Sequence, residues 1–426
     1  MPYMIAGIDV HKKMLAVVVA DVELAEEYRF ERCRFGTTPQ HLQALCAWLA
    51  ERNVQEVVME STAQYWKPVW STLERDWKPT CKQQEGAAKV AGALHLAQAE
   101  SNRARQGRKT DFIDAERLVK RLAANELVLS LVPDEEQRLW RSVMRRKYQI
   151  IRNRVQLQNR LESLLEEMKI KLSSLVSDLL GLSARRMLGA LAKGETEPQV
   201  LAAMAHQRLR ATPEELQDAL GASRELNPVY RRMLKMMLTE LRLLEQQMRQ
   251  LDREMATLLL AHADAVRRLT EIPGLGVDSA QQIIAEVGPT AAAFESEKNL
   301  SSWAGVCPGE EESGGKCKSH RSPKGSRHLR RILNQCANAA AKAKGTIFQA
   351  IYLRLVPRLG HKQTIGAIAH RLCRLIWIIL HRGVSYEERG PALTAKAKQR
   401  RTAKMIRELS KLGYRVEPPN LQPAVS

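Results

Sequence analysis

Cysteine motifs, histidine clusters and long apolar runs are all missing from this 426-residue sequence. Its seven cysteines form no C-x-x-C pair and are odd in number, which argues against a disulfide framework and against a zinc site. The ten histidines show no metal-ligand spacing beside the cysteines. We therefore expect reduced, structural cysteines and a metal ion, if any, that is bound by oxygen atoms.

The apolar runs of the sequence predict no membrane-spanning helix. The longest apolar run near the C-terminus, Leu375 to Leu380, is flanked by Arg374 and His381. It is far shorter than the roughly 20 residues of a membrane helix. The N-terminal segment lacks a basic region followed by a long apolar stretch and a cleavage site. We expect a cytoplasmic chain that does not bind a membrane.

Acidic residues are too few to balance the basic ones. Lys and Arg number 67 against 47 Asp and Glu, which leaves a formal net charge of +20. An excess of this size favours a polyanionic partner, and nucleic acid is the leading candidate. The length exceeds that of one ordinary core, so we expect two to four domains.

Apolar runs near the N-terminus predict an α/β domain. Met4–Val10 and Leu15–Ala20 are predicted strands joined by a polar turn, as in a hairpin. A helical stretch then leads into a third apolar strand, Val54–Glu60. Such a connection usually builds a parallel pair, and functional groups collect at the carboxyl ends of parallel strands. Asp9 and Glu60 both lie at such ends.

Glycine is scarce and charge is dense after about residue 134, which predicts long helices. One segment carries an a/d heptad seam, the pattern of a coiled coil, in two series: Leu234, Leu241, Met248, Met255, and Met237, Leu244, Leu251, Leu258. A weaker series predicts a partner helix, within the chain or across a dimer: Ile150, Leu157, Leu161, Leu164, Met168. Residues 170–226 are helical in character but show no functional signal.

A third unit begins at the turn Ile272–Gly276 and runs to about Tyr386. Between Lys316 and Tyr386 there are fifteen Lys or Arg and no Asp or Glu, which predicts a strong positive potential. The turn offers backbone amides at Gly274 and Gly276 to a nucleic-acid phosphate. An ordinary turn between helices is an equally good interpretation. The tail that follows is polar and basic, and we expect it to be partly disordered.

Four acidic residues form the first candidate site. Asp111 and Asp114 are three residues apart, which on a helix places both carboxylates on one face. With Asp9 and Glu60 they would make an all-oxygen site of the kind that Mg²⁺ prefers. Two such ions can stabilise the attacking and leaving oxygens of a phosphoryl displacement. A solvated helix face is the alternative interpretation of the Asp pair taken alone.

A glycine-rich segment carries the second candidate, the nucleophile Ser313. Its glycines permit close approach of the backbone to a phosphate, and the Ser313 hydroxyl would attack that phosphate if a metal or base eased its deprotonation. An ordinary flexible turn is the alternative. Candidate nucleic-acid contacts follow it: Lys316, Lys318, Arg321, Lys324, Arg327, Arg330 and Arg331.

Four motifs, in this order and spacing, resemble one family: Gly7–Lys12, Met59–Thr62, Lys109–Ala115 and, after Trp303–Pro308, Ser313–Lys316. The family is the DEDD transposases of insertion sequences, the one-ten type, which are related to the Piv-like DNA invertases. The resemblance covers roughly residues 4–125 and 266–386.

The resemblance implies an N-terminal RuvC-like (RNase H-like) α/β domain whose acidic tetrad, Asp9, Glu60, Asp111 and Asp114, binds Mg²⁺. It implies a mostly helical C-terminal transposase domain whose Ser313 forms a phosphoserine link to DNA, within a composite active site. It further implies a noncoding bridge RNA that pairs with donor and target DNA, and a homodimer that assembles to a tetramer. The expected domains are 1–128, RuvC-like; 129–265, helical coiled coil; 266–386, transposase; and 387–426, basic tail.

This chain departs from the family at Glu312, where many relatives carry a serine, and so lacks an alternative nucleophile. Two other functions fit parts of the sequence. A RuvC-like nuclease would hydrolyse nucleic acid with the tetrad alone, and Ser313 would be dispensable. A noncatalytic coiled-coil protein would bind nucleic acid through its basic face, without metal dependence.

Overall fold

The structure is a computed structural model that describes residues 3–23, 28–60, 63–77, 93–99, 110–309, 311–313, 316–319, 322–388, 402–403 and 405–407. The chain folds into two compact units, Met1–Arg138 and Leu139–Ser426. The expected domain boundaries at 128, 265 and 386 divide it more finely and stay predictions. Most of the tail, 387–426, lies outside the described residues.

A five-stranded mixed sheet forms the centre of the first unit. Its strands are β1 (Met4–Val10), β2 (Met14–Asp21), β3 (Glu31–Gly36), β4 (Val54–Glu60) and β5 (Leu94–Ala97). They lie in the order β3-β2-β1-β4-β5. β2 is antiparallel to β1 and β3, whereas β4 is parallel to β1 and β5. The predicted hairpin, parallel pair and α/β class are confirmed.

Helices cover both faces of this sheet, and their bounds are α1 (Pro39–Glu51), α2 (Trp66–Asp76) and α3 (Asp111–Ala123). On one face, Ile8 of β1 packs in a core with Leu45 of α1 and Leu73 of α2. On the other face, Ile5 packs with Ala115 of α3. Because both faces are covered, β1 and β2 are nearly continuous apolar runs.

The rest of the chain is mostly helical, as predicted. Its helices are α4 (Glu135–Glu167), α5 (Leu172–Leu175), α6 (Leu182–Lys193), α7 (Pro198–Ala203), α8 (Pro213–Ala219), α9 (Pro228–Leu258), α10 (Ala263–Thr270), α11 (Val277–Val287), α12 (Glu297–Ala304), α13 (Arg327–Lys342) and α14 (Ile347–Arg382). A two-stranded sheet, β6 (Glu311–Ser313) and β7 (Lys316–Ser319), lies between α12 and α13 in sequence. Helix α14 is interrupted by non-helical backbone at Gly360.

Helices α4 and α9 pack together within the chain. Both contribute to one buried core, through Leu157, Leu161, Leu164, Leu234, Leu238, Leu241 and Leu244. The ion pairs Lys147–Asp252 and Arg160–Glu240 join the two helices. The later residue of α4 pairs with the earlier residue of α9. The helices are therefore antiparallel, and much of the heptad seam is buried inside one chain.

One helix among the described residues, Ile347–Arg382, is long and apolar enough to cross a membrane by length and composition. However, 56% of its most apolar window is buried inside the structure. The indole Nε1 of Trp377, in this helix, donates to the Phe294 carbonyl oxygen at 2.9 Å. Such burial is what the core helix of a folded domain shows, so length and composition are weak grounds for a membrane span here.

Candidate active site

Strand β1 brings Asp9 to the carboxyl end of the sheet. Ile8 pairs with Met59 in the parallel register, and Asp9 and Glu60 are the next residues of the two neighbouring strands. Alternation along a strand sends their side chains to the same face as Gly7. Helix α3 covers that face. Both acids therefore end adjacent strands on the α3 side of the sheet.

Helix α3 brings two further acids in its first turn. Thr110 is the N-cap residue, and its Oγ1 accepts a hydrogen bond from the Ile113 backbone N–H at 3.4 Å. Asp111 and Asp114 lie in the first turn, where the positive end of the helix dipole favours negative charge. The helix thus begins at the first of the two aspartates that the sequence singles out.

A glycine in β1 determines how closely α3 approaches the sheet. A Cβ atom at Gly7 would lie 2.3 Å from the Ala115 carbonyl oxygen and 2.8 Å from Cγ2 of Val119. Only glycine lets the helix backbone come this near to the strand. Asp9 lies two residues after Gly7, and Asp114 directly precedes Ala115. This contact therefore sets the separation between the carboxylates.

His11 lies between two of the carboxylates. Its Nε2 atom is 3.0 Å from Asp9 Oδ2 and 3.2 Å from Asp111 Oδ1. Ligand atoms of these three residues all lie within 4.8 Å of one another, an arrangement that could hold a metal ion. The sequence predicts ligands with oxygen atoms only, whereas the structure adds an imidazole nitrogen. The signal was present in the sequence as a histidine two residues after Asp9.

The pKa of Asp9 reflects its burial first and the charges around it second. Burial raises this pKa, His11 lowers it, and the carboxylates of Asp114 and Asp111 raise it further. The net shift is upward, so the ionised form of Asp9 is disfavoured in this position. A bound cation would relieve the repulsion. Carboxylate oxygens are also the ligands that Mg²⁺ takes, so the donor set fits a divalent metal.

The other two acids differ in their surroundings. Arg117 Nη1 donates to Asp114 Oδ1 at 2.7 Å, which offsets part of the negative charge. Glu60 is half-buried and pairs in register with Ala97 of β5. The structure thus brings Asp9, Asp111 and Asp114 together, and it places Glu60 at the end of the adjacent strand.

Ser313 ends a short strand in the second unit. β6 and β7 are antiparallel, and Ser313 pairs with Lys316 across Gly314 and Gly315. This segment is therefore a hairpin, which is more regular than the flexible turn considered from the sequence. Lys318 also lies in β7, whereas the two glycines and Arg321 lie outside the described residues.

Two glycines close the base of the segment that carries this hairpin. A Cβ atom at Gly325 would lie 2.3 Å from the backbone nitrogen of Gly305, so the two backbones are in direct contact. Beside them, the Ser326 backbone N–H donates to the Trp303 carbonyl oxygen at 3.0 Å. The two ends of the segment 306–324 are therefore held together.

The basic residues after the hairpin are not equivalent. Lys324 and Arg327 are exposed, and Arg330 Nη1 donates to the Pro323 carbonyl oxygen at 3.2 Å. Arg327 is an exposed cation of the kind that contacts a polyanion. The nucleic-acid contacts of all three residues, like those of Lys316, Lys318 and Arg321, stay predictions.

Arg331 has a structural environment. Its guanidinium lies 4.1 Å from the ring centroid of Tyr148, and its Nη2 donates to Gln282 Oε1 at 2.6 Å. Burial lowers the pKa of Arg331. The residue thus joins α13 to α4 and α11, and its predicted contact with nucleic acid is untested.

The glycines of the predicted phosphate turn also differ. Gly274 has φ 89°, and a Cβ there would lie 2.4 Å from the backbone nitrogen of Ala340 in α13. Close helix packing therefore accounts for this glycine. Gly276 is the N-cap residue of α11, and nothing lies within 4 Å of its Cβ position. A phosphate contact at either glycine stays a prediction.

Comparison with known proteins identifies two matching regions. Residues 6–170 match the DEDD transposase family of the IS110 type, and residues 266–353 match the transposase IS116/IS110/IS902 family. A transposase for insertion sequence element IS1328 of Yersinia enterocolitica is 23% identical over 286 residues, which are 66% of this chain and 74% of that protein. A probable family 20 transposase of Pseudomonas aeruginosa is 26% identical over 285 residues, which are 66% of this chain and 75% of that protein.

Among solved structures, RuvC of Thermus thermophilus is similar over 30% of this chain and 99% of its own, with 14% identity and a TM-score of 0.22. This likeness is too low to carry an argument. The two matching regions contain Asp9, Glu60, Asp111 and Asp114 in the first and Ser313 in the second. The chain therefore belongs to the IS110 family of insertion-sequence transposases, enzymes that cleave and recombine DNA.

Proposed function

We propose that this transposase exchanges DNA strands through a covalent serine link, with Ser313 as nucleophile and Mg²⁺ held by the acidic tetrad. The convergence of Asp9, His11 and Asp111 carries the proposal, since their ligand atoms lie within 4.8 Å of one another. Asp114 adds to the negative charge at Asp9. When bound, a divalent ion would stabilise the oxygens that attack and leave in a phosphoryl displacement.

The serine step keeps the number of phosphodiester bonds constant. The Oγ atom of Ser313 attacks the phosphorus, an Oγ–P bond forms, and the bond from phosphorus to one bridging DNA oxygen breaks. The hydroxyl proton leaves to a base, and the departing DNA oxygen takes up a proton. Attack by the hydroxyl of a second strand reverses these changes and frees the serine. Exchange therefore requires no nucleotide hydrolysis.

We further propose that the partners are double-stranded donor and target DNA and a noncoding bridge RNA. The net charge of +20 and the fifteen basic residues between Lys316 and Tyr386 support polyanionic partners. Exposed Lys324 and Arg327 add to this support. Base pairing by the RNA would select the sites, so the protein need contact mainly backbone.

A homodimer that assembles to a tetramer is the proposed assembly. Helix α9 supports it, because exposed apolar residues recur along it at heptad-like spacing: Val229, Met233, Met236 and Leu243. Met236 is 71% and Leu243 53% exposed, so this stripe is free of the core that buries the predicted seam. Light scattering should show a smaller mass for the double variant Met236→Asp, Leu243→Asp. An unchanged mass would exclude α9 from the interface.

A covalent-capture assay tests the chemistry. The full chain is incubated with Mg²⁺, the noncoding RNA that flanks its element and labelled DNA carrying the element junction. We expect a protein–DNA adduct that survives denaturation, and we expect Ser313→Ala and Asp111→Ala both to abolish it. Ser302→Ala and Asp76→Asn are matched controls, because both residues are exposed and lie outside the tetrad and the hairpin. Both controls should form the adduct.

Other outcomes would favour the alternatives. DNA cleavage without an adduct, lost in Asp111→Ala and kept in Ser313→Ala, would indicate a hydrolytic nuclease. Binding without cleavage in the unmodified chain would indicate a noncatalytic nucleic-acid-binding protein. Omitting the RNA should prevent the reaction at the element junction, and a reaction that proceeds equally without it would contradict RNA guidance.

A further inference from the structure

A cavity of about 820 Å³ opens on the helical part of the second unit, in the region for which the sequence shows no functional signal. Its walls come from α6, α9, the end of α7 and the residues that follow α6 and α7: Arg185, Arg186, Gly189, Ala190, Lys193, Glu195, Ala203, Met204, Ala205 and Arg242. Neither the tetrad nor the serine hairpin contributes to it. The cavity therefore needs an explanation of its own.

Three of the four cations on the cavity wall have no partner within the described residues. Arg186, Lys193 and Arg242 are exposed, and their side chains make no hydrogen bond or ion pair with another described residue. Like charges held on a concave surface repel one another and concentrate a positive potential there. The wall is therefore suited to an anionic ligand.

The remaining charged groups of the wall are engaged. Arg185 Nη1 donates to Glu245 Oε2 at 2.7 Å. The carboxylate oxygen Oε1 of Glu195, the one acid on the wall, accepts hydrogen bonds from two backbone N–H groups at 2.9 Å. The acid is thus turned to its own backbone, and it does not neutralise the three unpaired cations.

Gly189 provides a second, independent observation. It lies inside α6, where glycine is less favourable than alanine. A Cβ atom there would meet nothing within 4 Å, so packing within the chain does not require glycine. A glycine on a helix face also allows another backbone to approach closely. On the cavity wall, Gly189 therefore leaves the backbone of α6 open to the cavity.

We propose that this cavity binds phosphodiester groups of a nucleic-acid backbone through Arg186, Lys193 and Arg242, with the strand lying against Gly189. The proposal rests on the nucleic-acid partners of the proposed function and is independent of the serine chemistry. Guanidinium groups bind phosphate oxygens with two parallel hydrogen bonds, and the lysine adds a point charge. The same chemistry would serve DNA and the bridge RNA.

Salt-dependent binding measurements test the cations. The full-length double variant Arg186→Ala, Arg242→Ala is compared with Lys235→Ala, Arg253→Ala, which removes two exposed cations of α9 outside the cavity. For the cavity variant, we expect the slope of log affinity against log salt to fall by about two and the affinity at 0.1 M salt to fall roughly tenfold or more. The control should change much less.

Junction DNA and the flanking RNA form separate arms, each measured alone by fluorescence anisotropy. If the cavity variant loses affinity for only DNA or only RNA, that nucleic acid is the source of the bound phosphodiester, and the proposal is supported. If the cavity variant bound both DNA and RNA as tightly as the control variant does, the proposal would be overturned. The anisotropy measurement reports binding and requires no catalysis. If no Ser313 adduct formed, the effect of the cavity variant on affinity could still be measured, so failure of this proposal can be distinguished from failure of the proposed function.

Two substitutions of Gly189 test the cavity through different properties, the melting temperature and the affinity for nucleic acid. Gly189→Ala should raise Tm by about 1–3 °C, since alanine favours a helix interior. Gly189→Leu, which fills the cavity, should lower the affinity at least as much as the double cation variant. Gly221→Leu is the control, since its Cβ position is also open but lies outside the cavity. An unchanged affinity for Gly189→Leu would overturn the placement of the strand.

Discussion

A methyl group at position 7 has no room, because its carbon would lie 2.3 Å from the Ala115 carbonyl oxygen. We predict that Gly7→Ala displaces α3, lowers the free energy of unfolding by about 1–3 kcal/mol and weakens divalent-metal binding. Urea denaturation and calorimetric titration with Mg²⁺ measure the two effects. In the control Gly366→Ala, the new Cβ meets nothing within 4 Å. Equal effects of the two substitutions would contradict this role of Gly7.

The raised pKa of Asp9 makes stability depend on pH. Between the ordinary value of 3.8 and the higher folded value, the native state binds more protons than the unfolded chain. Stability therefore falls as pH rises through this window, and the loss is complete above it. We predict that metal-free Asp9→Asn is more stable than the unmodified chain at pH 7, and that this advantage shrinks as pH approaches 4.

Thermal unfolding with EDTA or Mg²⁺ measures the effect of Asp9→Asn. Metal that binds only the folded state should stabilise the unmodified chain more than the variant. Asp76→Asn is the control, because a hydrogen bond from Arg75 lowers the pKa of Asp76. A variant less stable than the unmodified chain in EDTA at pH 7 would contradict the prediction.

At the residue scale, the sequence predicted Asp9, Asp111 and Asp114 as site residues but not the groups that arrange them. Spacing along one helix reveals which carboxylates share a face. It cannot reveal that the side chain of His11 turns between Asp9 and Asp111. Nor does it distinguish Arg331, which stacks on Tyr148, from its exposed neighbours. These features depend on contacts between residues far apart in the sequence.

Three helices, α4, α9 and α11, meet at Lys147. Its side chain is only 7% exposed and forms ion pairs with Asp252 of α9 and Asp278 of α11. Burial lowers the pKa of Lys147, but hydrogen bonds to the two carboxylates together outweigh burial, so the pKa is raised. The lysine is therefore a buried cation whose stability depends on two acids from different helices.

We predict that Asp252→Asn combined with Asp278→Asn lowers the free energy of unfolding by about 1–3 kcal/mol, because a buried lysine loses two half-exposed carboxylate partners. Either substitution alone should cost less than half of that. Adding Lys147→Met to the double variant should restore part of the loss, since the unpaired charge is then gone. Urea denaturation compares the variants. A triple variant no more stable than the double would contradict this account.

At the element scale, the sequence predicted the three central strands, β1, β2 and β4, and missed both edge strands. β5 has only four residues. β3 has mostly exposed or half-buried residues and carries Glu31, Arg32 and Arg34. Charged residues are common on edge strands, where they discourage pairing with other chains. Because this composition resembles that of a loop, no apolar pattern marks β3. The heptad pattern of α9 was visible, but not whether its partner was α4 or another chain.

For the whole molecule, charge governs affinity for nucleic acid. With 6–10 phosphate contacts, affinity should fall by about 10³–10⁵ between 50 and 200 mM salt. We predict that Arg327→Ala reduces the slope of log affinity against log salt by about one, because Arg327 is exposed. Arg331→Ala should instead lower Tm through lost packing and leave the slope nearly unchanged. Anisotropy titrations at several salt concentrations, with thermal unfolding, decide between these outcomes. If Arg331→Ala changed the slope of log affinity against log salt more than Arg327→Ala, Arg331 and not Arg327 would be the residue that contacts phosphate.

Since Gly305 and Gly325 touch, the chain that carries Ser313 leaves and re-enters the domain at one point. Lengthening a loop whose ends already meet is inexpensive in entropy, at about 0.6 kcal/mol for each doubling of its length. The proposed nucleophile, Ser313, thus lies in a segment whose two ends meet. We expect that a change in the length or sequence of residues 306–324 alters the proposed strand exchange, while the helices on either side keep their packing.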